Sequence, residues 1–319
     1  MNDIVRNEHA DEGANELRPT RLTDFTGQTA ALENLSVYVR SARRRGDPLD
    51  HVLFYGPPGL GKTTLSQIIA EEMETNFRSI SAPAIKKPGE LATVLVTLQP
   101  GDVLFIDEIH RLPLFVEELL YSAMEDYKIT ILVGEGHEQA EPIEVRINPF
   151  TLVGATTRKG SLSQPLLDRF GIQVRLTYYE DEDLTSIVQG AATKLGEFLD
   201  HGEAFEVARR SRGTPRIAIK LLKRLRDFRQ DAETEYSLDF VVRCLDRLGI
   251  TSNGLDDQDI RYLDTLRDLF GGGPTGIETL AIAMAESRDT LETSIEPFLI
   301  RQGLITKTSR GRLLVRNEE

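Results

Sequence analysis

Apolar residues follow two alternating spacings along the first part of the chain. Continuous apolar runs, typical of buried strands, occur at 52–55, 77–80, 102–107, 151–155 and 172–176. Between most of these runs, and before the first of them from Gln28 to Arg45, apolar residues recur at helical spacing. Because strands that alternate with helices pair in parallel, we expect an α/β domain with a mostly parallel sheet covered by helices.

The segment from Lys128 to Val145 interrupts this alternation. It contains two strand-like runs, 129–133 and 142–145, joined by the polar residues 134–140. Two such runs separated by a polar loop are typical of a β-hairpin. We therefore expect a hairpin that projects from the α/β core.

After Tyr179 the pattern predicts helices and no convincing strand, at 181–195, 203–211, 215–230 and 237–248. These helices are short and follow one another closely, as in a small all-helical domain. A polar, turn-rich link at 249–257 then separates them from the last part of the chain.

The last part of the chain predicts three short helices, at 256–270, 276–286 and 288–301. Two strand-like runs follow, on either side of the basic turn 308–311. Three helices and a hairpin are the outline of a winged helix-turn-helix. We therefore predict three domains: a large α/β domain at 1–179, a small helical domain at 180–250 and a winged-helix domain at 251–319.

A glycine-rich sequence from Gly56 to Thr63, Gly-Pro-Pro-Gly-Leu-Gly-Lys-Thr, lies between the run 52–55 and a helix-like stretch. A phosphate-binding loop needs this context, because glycines such as Gly59 and Gly61 let backbone N–H groups turn toward an anion. In such a loop Lys62 reaches the β- and γ-phosphates and the Thr63 hydroxyl ligates Mg²⁺. We predict that the chain binds ATP with Mg²⁺; the alternative is a glycine-rich turn that binds nothing.

Two carboxylates, Asp107 and Glu108, follow the apolar run 102–107. Ligands of open α/β sheets bind where buried strands end, so both residues are expected near the phosphates. Asp107 then holds Mg²⁺, and Glu108 polarises the attacking water as general base. The alternative is a helix N-cap without catalytic work. The acidic pair favours hydrolysis coupled to motion over transfer to a small acceptor, so we expect an ATP hydrolase.

Four further residues are candidates for the reaction. Thr156 or Thr157, at the end of a strand, could orient the water, although threonines there are usually ordinary caps. Arg169, in a short helix before the last strand, could act on a neighbouring subunit or form a surface ion pair. Arg216 stands at a helix start, where its charge opposes the helix dipole, so we expect it to face a γ-phosphate.

Composition limits the class of protein. The 319 residues carry a formal charge of −13, and 40% are apolar, an ordinary share for a soluble globular protein. The single cysteine, Cys244, allows no internal disulfide, and no apolar run approaches the length of a membrane span. We expect a cytoplasmic protein with no membrane segment and a disordered, polar arm at 1–16.

Basic residues concentrate near the end of this acidic chain, where the segment from Arg301 to Arg316 contains no acidic residue. Lys307, Arg310 and Arg312 lie there without a series of aromatic or amide side chains that could read bases. This pattern predicts contact with phosphates irrespective of sequence. The alternative is a solvated basic turn.

Several motifs together resemble the RuvB family of AAA+ ATPases, the motors of bacterial Holliday-junction branch migration. The resemblance covers about 17–316, nearly the whole chain. The motifs are Arg18-Pro19, Phe25 with Gly27-Gln28, and the segments 50–64, 105–111, 123–127, 154–158 and 212–216.

The resemblance implies an ATP-driven translocase that works as a hexameric ring on duplex DNA in recombination and repair. It implies RuvA as a partner, docked on the hairpin 128–145, and the resolvase RuvC as a further member of the complex. Arg169 corresponds to an arginine finger that acts in trans, and Arg216 to the second sensor. The positions implied at the nucleotide are Leu17, Arg18, Gly59, Lys62, Thr63, Thr64, Glu125, Asp126, Tyr127 and Tyr179.

In the winged domain the resemblance implies DNA contacts at Lys307 and Arg312, with Arg310 and Arg288 as further candidates. Two other functions remain open at the level of the residues. One is an AAA+ clamp loader or replication initiator that acts as an ATP switch, and the other is a scaffold that binds nucleotide without hydrolysis. Glu108 disfavours the scaffold.

Overall fold

The computed structural model describes residues 17–133 and 141–315. The predicted arm 1–16, the hairpin loop 134–140 and Arg316 lie outside the described residues. The chain divides into two compact units, the first ending at Gly196 and including 214–216, the second comprising 197–213 and everything from Ile217 onward. Within the described ranges, every helix is too short or too polar to cross a membrane.

The first unit alternates strands and helices as the apolar pattern predicts. The strands agree with the predicted bounds to within one residue at either end. The elements are α1 Thr29–Arg45, β1 Val52–Tyr55, α2 Lys62–Met73, β2 Phe77–Ser81, α3 Pro88–Val96, β3 Val103–Asp107, α4 Leu114–Glu125, β4 Lys128–Val133, β5 Glu141–Arg146, β6 Thr151–Thr156, α5 Gln164–Asp168, β7 Ile172–Arg175 and α6 Asp181–Lys194.

Five strands form one parallel sheet in the order β2-β3-β6-β1-β7, which confirms the predicted α/β fold. The central strands are buried along almost their whole length, as expected for a sheet covered on both faces. β6 lies between β3 and β1, with Thr156 in register with Tyr55. The carboxyl ends of β1, β3 and β6 therefore meet at one edge.

The predicted hairpin is present as a separate antiparallel pair, β4 and β5, in register from Lys128↔Arg146 to Val133↔Glu141. Ile129 on β4 is buried in the core of the unit, whereas Ile143 on β5 is 46% exposed. The hairpin therefore packs one side on the core and presents an apolar side chain to solvent.

The second unit is helical up to its last two strands, as expected for a small helical domain followed by a winged-helix domain. Most of its helices agree with the predicted bounds to within a few residues. The elements are α7 His201–Arg209, α8 Pro215–Ala232, α9 Leu238–Arg247, α10 Asp257–Asp264, α11 Ile277–Met284, α12 Arg288–Thr290, α13 Glu296–Arg301, β8 Ile305–Thr308 and β9 Gly311–Leu314.

Two helices predicted as continuous, 256–270 and 288–301, are interrupted. In the first, a π-helical turn, Thr265–Leu269, follows α10. A π-helical turn from Leu291 to Ile295 joins α12 to α13. Pro297, in the first turn of α13, has no N–H to donate to the carbonyl of Thr293, so the regular bonding pattern cannot pass through it. The backbone therefore widens before α13 begins.

Arg210, which is buried, and Arg212, whose side chain is 13% exposed, hold the polar link 249–257 inside the second unit. Arg210 donates to Glu206, to Asp246 and to the Ile250 carbonyl, at 2.6 to 2.7 Å. Arg212 donates to the fully buried Asp259 at 2.5 Å and to the Gly254 carbonyl at 2.9 Å. Its guanidinium also lies 4.7 Å from the ring of Phe298. The link, which is polar and turn-rich in the sequence, is thus bonded to two arginines that lie between α7 and α8.

We predict that Arg212→Met destabilises the folded protein by about 3–5 kcal/mol, because a buried carboxylate loses its partner. Burial already raises the pKa of Asp259 to about 6, above the 3.8 of an exposed aspartate, so this group's contribution to stability falls as pH rises between those values. Urea denaturation of the variant should therefore show a larger deficit at pH 8 than at pH 5.

The matched control is Arg243→Met, which removes an arginine from an exposed i,i+4 pair with Asp239. It should change the unfolding midpoint little. Equal effects of the two substitutions would contradict the role assigned to Arg212.

Candidate functional site

The loop between β1 and α2 follows a path that glycine alone permits. Gly56 and Gly61 have φ of +140° and +97°. A Cβ at Gly56 would lie 2.3 Å from the Leu176 carbonyl oxygen, and one at Gly61 would lie 2.9 Å from the ring of Phe25. Both positions therefore exclude larger side chains, and the loop passes into the amino end of α2, where backbone N–H groups and the helix dipole favour an anion.

Lys62, the first residue of α2, is buried against this loop. Its Nζ donates to the carbonyl oxygens of Gly56 and Pro57 at 2.8 and 2.6 Å. Burial lowers the pKa of Lys62 to about 8, against the opposing effect of Asp107 and Glu108. An ammonium held by neutral carbonyls at a helix start is suited to an incoming phosphate. The Thr63 hydroxyl and the Asp107 carboxylate are oxygen groups of the kind that Mg²⁺ prefers, and their role as its ligands stays a prediction.

The two carboxylates end β3, as predicted. Asp107 accepts the N–H of Glu108 at 2.9 Å. Glu108 is in the left-handed region with φ +53°, a conformation that costs a non-glycine residue about 1–3 kcal/mol. It precedes a short 3₁₀ turn at Ile109–Arg111, and its carboxylate does not cap that turn. The N-cap interpretation therefore does not describe Glu108.

His110 joins the tip of β6 to Glu108, and the sequence interpretation missed it. Thr156 is fully buried; its Oγ1 accepts the N–H of Arg158 at 2.9 Å and lies 2.9 Å from His110 Nδ1. His110 Nε2 lies 3.4 Å from Glu108 Oε2. Thr157 is half-buried beside Thr156. The signal available in the sequence was an imidazole two residues after the predicted base.

Residue Arg216 lies against the phosphate loop within the first unit. Its N–H donates to the Gly59 carbonyl at 3.4 Å, and a Cβ on Gly59 would lie 3.2 Å from the Cβ of Arg216. Arg216 thus contacts the loop through its backbone, and its role as the second sensor stays a prediction.

The residues predicted near the base and sugar also border the loop. Tyr179 is buried and its hydroxyl donates to the Leu60 carbonyl at 3.3 Å. Arg18 donates to Gln67 of α2 at 3.0 Å, and the neighbouring Leu17 is buried. Segments from three parts of the chain therefore meet at this loop and at the helix that follows it.

Arg169 lies elsewhere in the unit, in contact with the end of α4. Its Nη2 is 2.9 Å from Glu125 Oε2, and its Nε donates to the Tyr121 carbonyl at 3.3 Å. The guanidinium also lies 4.6 Å from the centre of the Tyr121 ring. Arg169 and Glu125, both predicted at the nucleotide, are therefore partners of each other.

This second cluster borders the amino edge of the sheet. His51, directly before β1, accepts the N–H of Ile172 on its carbonyl at 3.1 Å, and its Nε2 lies 3.1 Å from the Met124 carbonyl oxygen. Tyr127 lies 6.2 Å, centroid to centroid, from the ring of Phe150, directly before β6. The phosphate loop follows the opposite end of β1, about 13 Å away along a four-residue strand. The segment Glu125–Tyr127 and Arg169 thus lie at the edge away from the chain's own loop.

The predicted DNA contacts in the second unit are mostly paired with acids. Arg312, 12% exposed at its side chain, donates to Glu296 at 2.8 Å and to Glu292 at 2.9 Å. The Lys307 ammonium lies 2.6 Å from the buried Glu296. Arg288 donates to Glu292 at 3.1 Å and also pairs with Glu278. The basic cluster seen in the sequence is therefore largely neutralised at close range.

Arg310 differs from these three cations. It is exposed at the turn between β8 and β9, and its backbone N–H donates to Thr308 Oγ1 at 3.3 Å. In the part of the chain that the structure describes, its guanidinium has no carboxylate within ion-pair distance. It is thus the cation of the turn that is most available to a phosphate.

The chain matches known protein families along nearly its whole length. Residues 17–176 match the Holliday junction DNA helicase RuvB P-loop domain, 179–251 the RuvB AAA lid domain, and 252–317 the RuvB C-terminal winged helix domain. The chain is 52% identical to the Holliday junction branch migration complex subunit RuvB of Gluconobacter oxydans, over 95% of this chain and 87% of that protein.

The corresponding subunit of Staphylococcus saprophyticus is 51% identical over 95% of this chain and 92% of its own length. The solved structure of the Thermotoga maritima RuvB Holliday junction branch migration motor is 44% identical and superposes with a TM-score of 0.85, over 94% of this chain and 96% of that one. Three domain matches in order and half-identical relatives along nearly the whole chain establish that it belongs to the RuvB family.

Proposed function

We propose that the chain is the ATP-hydrolysing subunit of a motor that drives branch migration of Holliday junctions. The observation that carries the proposal is the meeting of three elements at one sheet edge: the phosphate loop after β1, Asp107 and Glu108 after β3, and Thr156 at the end of β6. That edge is where ligands of open α/β sheets bind. Relatives that are about half identical are named as branch migration subunits.

In this proposal the loop and Lys62 hold the phosphates, and Thr63 with Asp107 holds Mg²⁺, whose charge offsets that of the phosphates when it is bound. Thr64 and Gly59 complete the phosphate cradle, and Leu17, Arg18 and Tyr179 border the base and sugar. Glu108 takes the proton of the attacking water. Its carboxylate makes no capping bond, and it interacts electrostatically with Lys62 of the phosphate loop. Arg216, at the loop through Gly59, faces the γ-phosphate.

Arg169 acts on the nucleotide of a neighbouring subunit. It lies at the amino edge of the sheet with Glu125, whereas the chain's own loop lies at the carboxyl edge. We propose the same for Glu125, Asp126 and Tyr127, which the resemblance places at the nucleotide and which lie in the segment at this edge. Repeating this head-to-tail contact with closure gives a ring, and six subunits is the number that the family resemblance implies.

The winged-helix domain, called the winged head below, binds the phosphates of duplex DNA. Arg310 is exposed, and Lys307, Arg312 and Arg288 exchange their acidic partners for the backbone when DNA arrives. The hairpin 128–145 docks on RuvA, with the exposed Ile143 as one apolar contact. RuvC joins when the junction is resolved. A clamp loader or replication initiator has less support, because the family matches cover the loop, lid and head of a branch migration subunit.

The function is tested with a synthetic four-way junction, RuvA and ATP. We predict that Glu108→Gln keeps ATP binding within about threefold and lowers hydrolysis by roughly 10²–10⁴-fold, because the general base is lost. Junction migration should stop in the same variant. Normal turnover in Glu108→Gln would remove Glu108 as the base. If the unmodified protein hydrolyses ATP with RuvA and the junction present but does not migrate the junction, the proposed motor function is refuted.

Action in trans predicts complementation between two inactive variants. Lys62→Ala lacks a working loop and Arg169→Ala lacks a finger, so a mixed assembly contains interfaces with an intact loop on one side and an intact finger on the other. ATP hydrolysis should reappear on mixing and depend on the mixing ratio.

The matched control mixes Lys62→Ala with Glu108→Gln. Both defects lie on the receiving side of the interface, so no complete site can form and the mixture should stay inactive. If the first mixture is as inactive as the control, Arg169 does not act in trans.

The acidic partners of the head predict a gain of DNA affinity. Glu292 pairs with Arg288 and Arg312, so Glu292→Gln should tighten binding to duplex DNA of any sequence several-fold. The slope of log Kobs against log salt should steepen by about 0.9 for each cation freed. Glu286→Gln, which removes the same charge outside this cluster, is the control; equal effects of both would indicate net charge alone.

A further inference from the structure

We propose that His110 is a positioning residue of the hydrolysis site: it holds the Glu108 carboxylate, and Thr156 acts on the reaction through it. The inference rests on the proposed role of Glu108 as base. It assigns a role to a side chain that neither the phosphate loop nor the acidic pair accounts for. It also changes the expected route by which Thr156 affects the water.

The three side chains form a continuous chain of contacts. Thr156 Oγ1 and His110 Nδ1 are 2.9 Å apart, and His110 Nε2 and Glu108 Oε2 are 3.4 Å apart. His110 is 8% exposed at its side chain, whereas Glu108 is 34% exposed. A buried imidazole thus spans from the interior tip of β6 to the carboxylate that faces the loop.

The donor and acceptor capacities of these three side chains fix the direction of the hydrogen bonds between them. Thr156 Oγ1 already accepts the N–H of Arg158, so its own proton is available to donate to Nδ1. A carboxylate only accepts, so a bond to Glu108 needs the proton on Nε2. A neutral imidazole in that tautomer satisfies both neighbours. Burial lowers the pKa of His110, which favours the neutral form, with Glu108 opposing and Arg158 and Arg111 reinforcing the shift.

The backbone explains why Glu108 needs such a hold. Its backbone is in the left-handed region, and its carboxylate makes no capping bond to the turn that follows, so the side chain has no local anchor. Among the described residues, His110 is the side chain that approaches this carboxylate within ion-pair distance. The 3.4 Å separation is long for a hydrogen bond, and catalytic contacts of this kind tighten when substrate is bound.

The Thr156 hydroxyl, in contrast, has both of its roles filled. It accepts from Arg158 and faces His110, and the side chain is fully buried. A displacement of the β6 tip, which is paired to β1 beside the loop, therefore reaches Glu108 through the imidazole. Thr157, whose side chain is half-buried, remains the candidate to orient the water directly.

The two halves of the imidazole can be tested separately. Glutamine at 110 can offer an N–H near the position of Nε2, whereas asparagine can offer an acceptor near Nδ1 but does not reach Glu108. We expect His110→Asn to lower kcat by about 10–100-fold, as for a misplaced catalytic group, with the dissociation constant for ATP changed less than threefold. His110→Gln should retain at least several-fold more kcat than His110→Asn.

A double-mutant cycle separates positioning from general damage. In a Glu108→Gln background, His110→Asn should cause no further loss of single-turnover hydrolysis, because the group it positions is gone. Independent, multiplied losses would overturn the proposal, as would equal kcat in His110→Asn and His110→Gln. Full turnover in Glu108→Gln alone would instead refute the base assignment, so the two failures are distinguishable.

Discussion

The polarity of the parallel sheet governs the chemistry of this chain. All five strands point the same way, so every strand contributes its carboxyl end to one edge and its amino end to the other. The phosphate loop, Asp107 and Thr156 follow from the first edge, and the contacts of His51 place Glu125 and Arg169 at the second. In the proposed mechanism, the hydrolysis site and the arginine finger of one chain are therefore separated by the length of a strand.

Local sequence patterns predicted most of the fold and the core of the site. The strands, the glycine loop with Lys62, and the placement of Glu108 after β3 all depend on residues close together in the chain. The strand order was not predictable from periodicity, because every apolar run looks alike. For the same reason, the sequence did not predict that Arg169 lies at the edge of the sheet opposite the phosphate loop. His110 was missed for a related reason: its partner Thr156 is 46 residues away, and only the adjacency of β3 and β6 brings them together.

The winged head shows a second limit of composition. Between 301 and 316 the sequence contains only basic charges, yet Glu292 and Glu296 come from the preceding helical turns and meet Arg312 and Lys307 at close range. The buried Glu296 also accepts a hydrogen bond from the Tyr262 hydroxyl, so this carboxylate belongs to the core of the winged-helix domain. The number of basic residues in a segment therefore overstates the positive field that a phosphate meets there.

The separation of loop and finger has a consequence for assembly. A two-fold symmetric dimer can join the carboxyl edge of one subunit to the amino edge of the other only as two reciprocal contacts within one shared patch, whereas a head-to-tail contact makes that junction once and leaves the next one open. In the proposed arrangement, an open row of subunits always ends in one loop without a finger and one finger without a loop. Closing the row into a ring pairs the last unpaired loop with the last unpaired finger. The ring is then directional, because each subunit contributes its arginine only to the neighbour on one side.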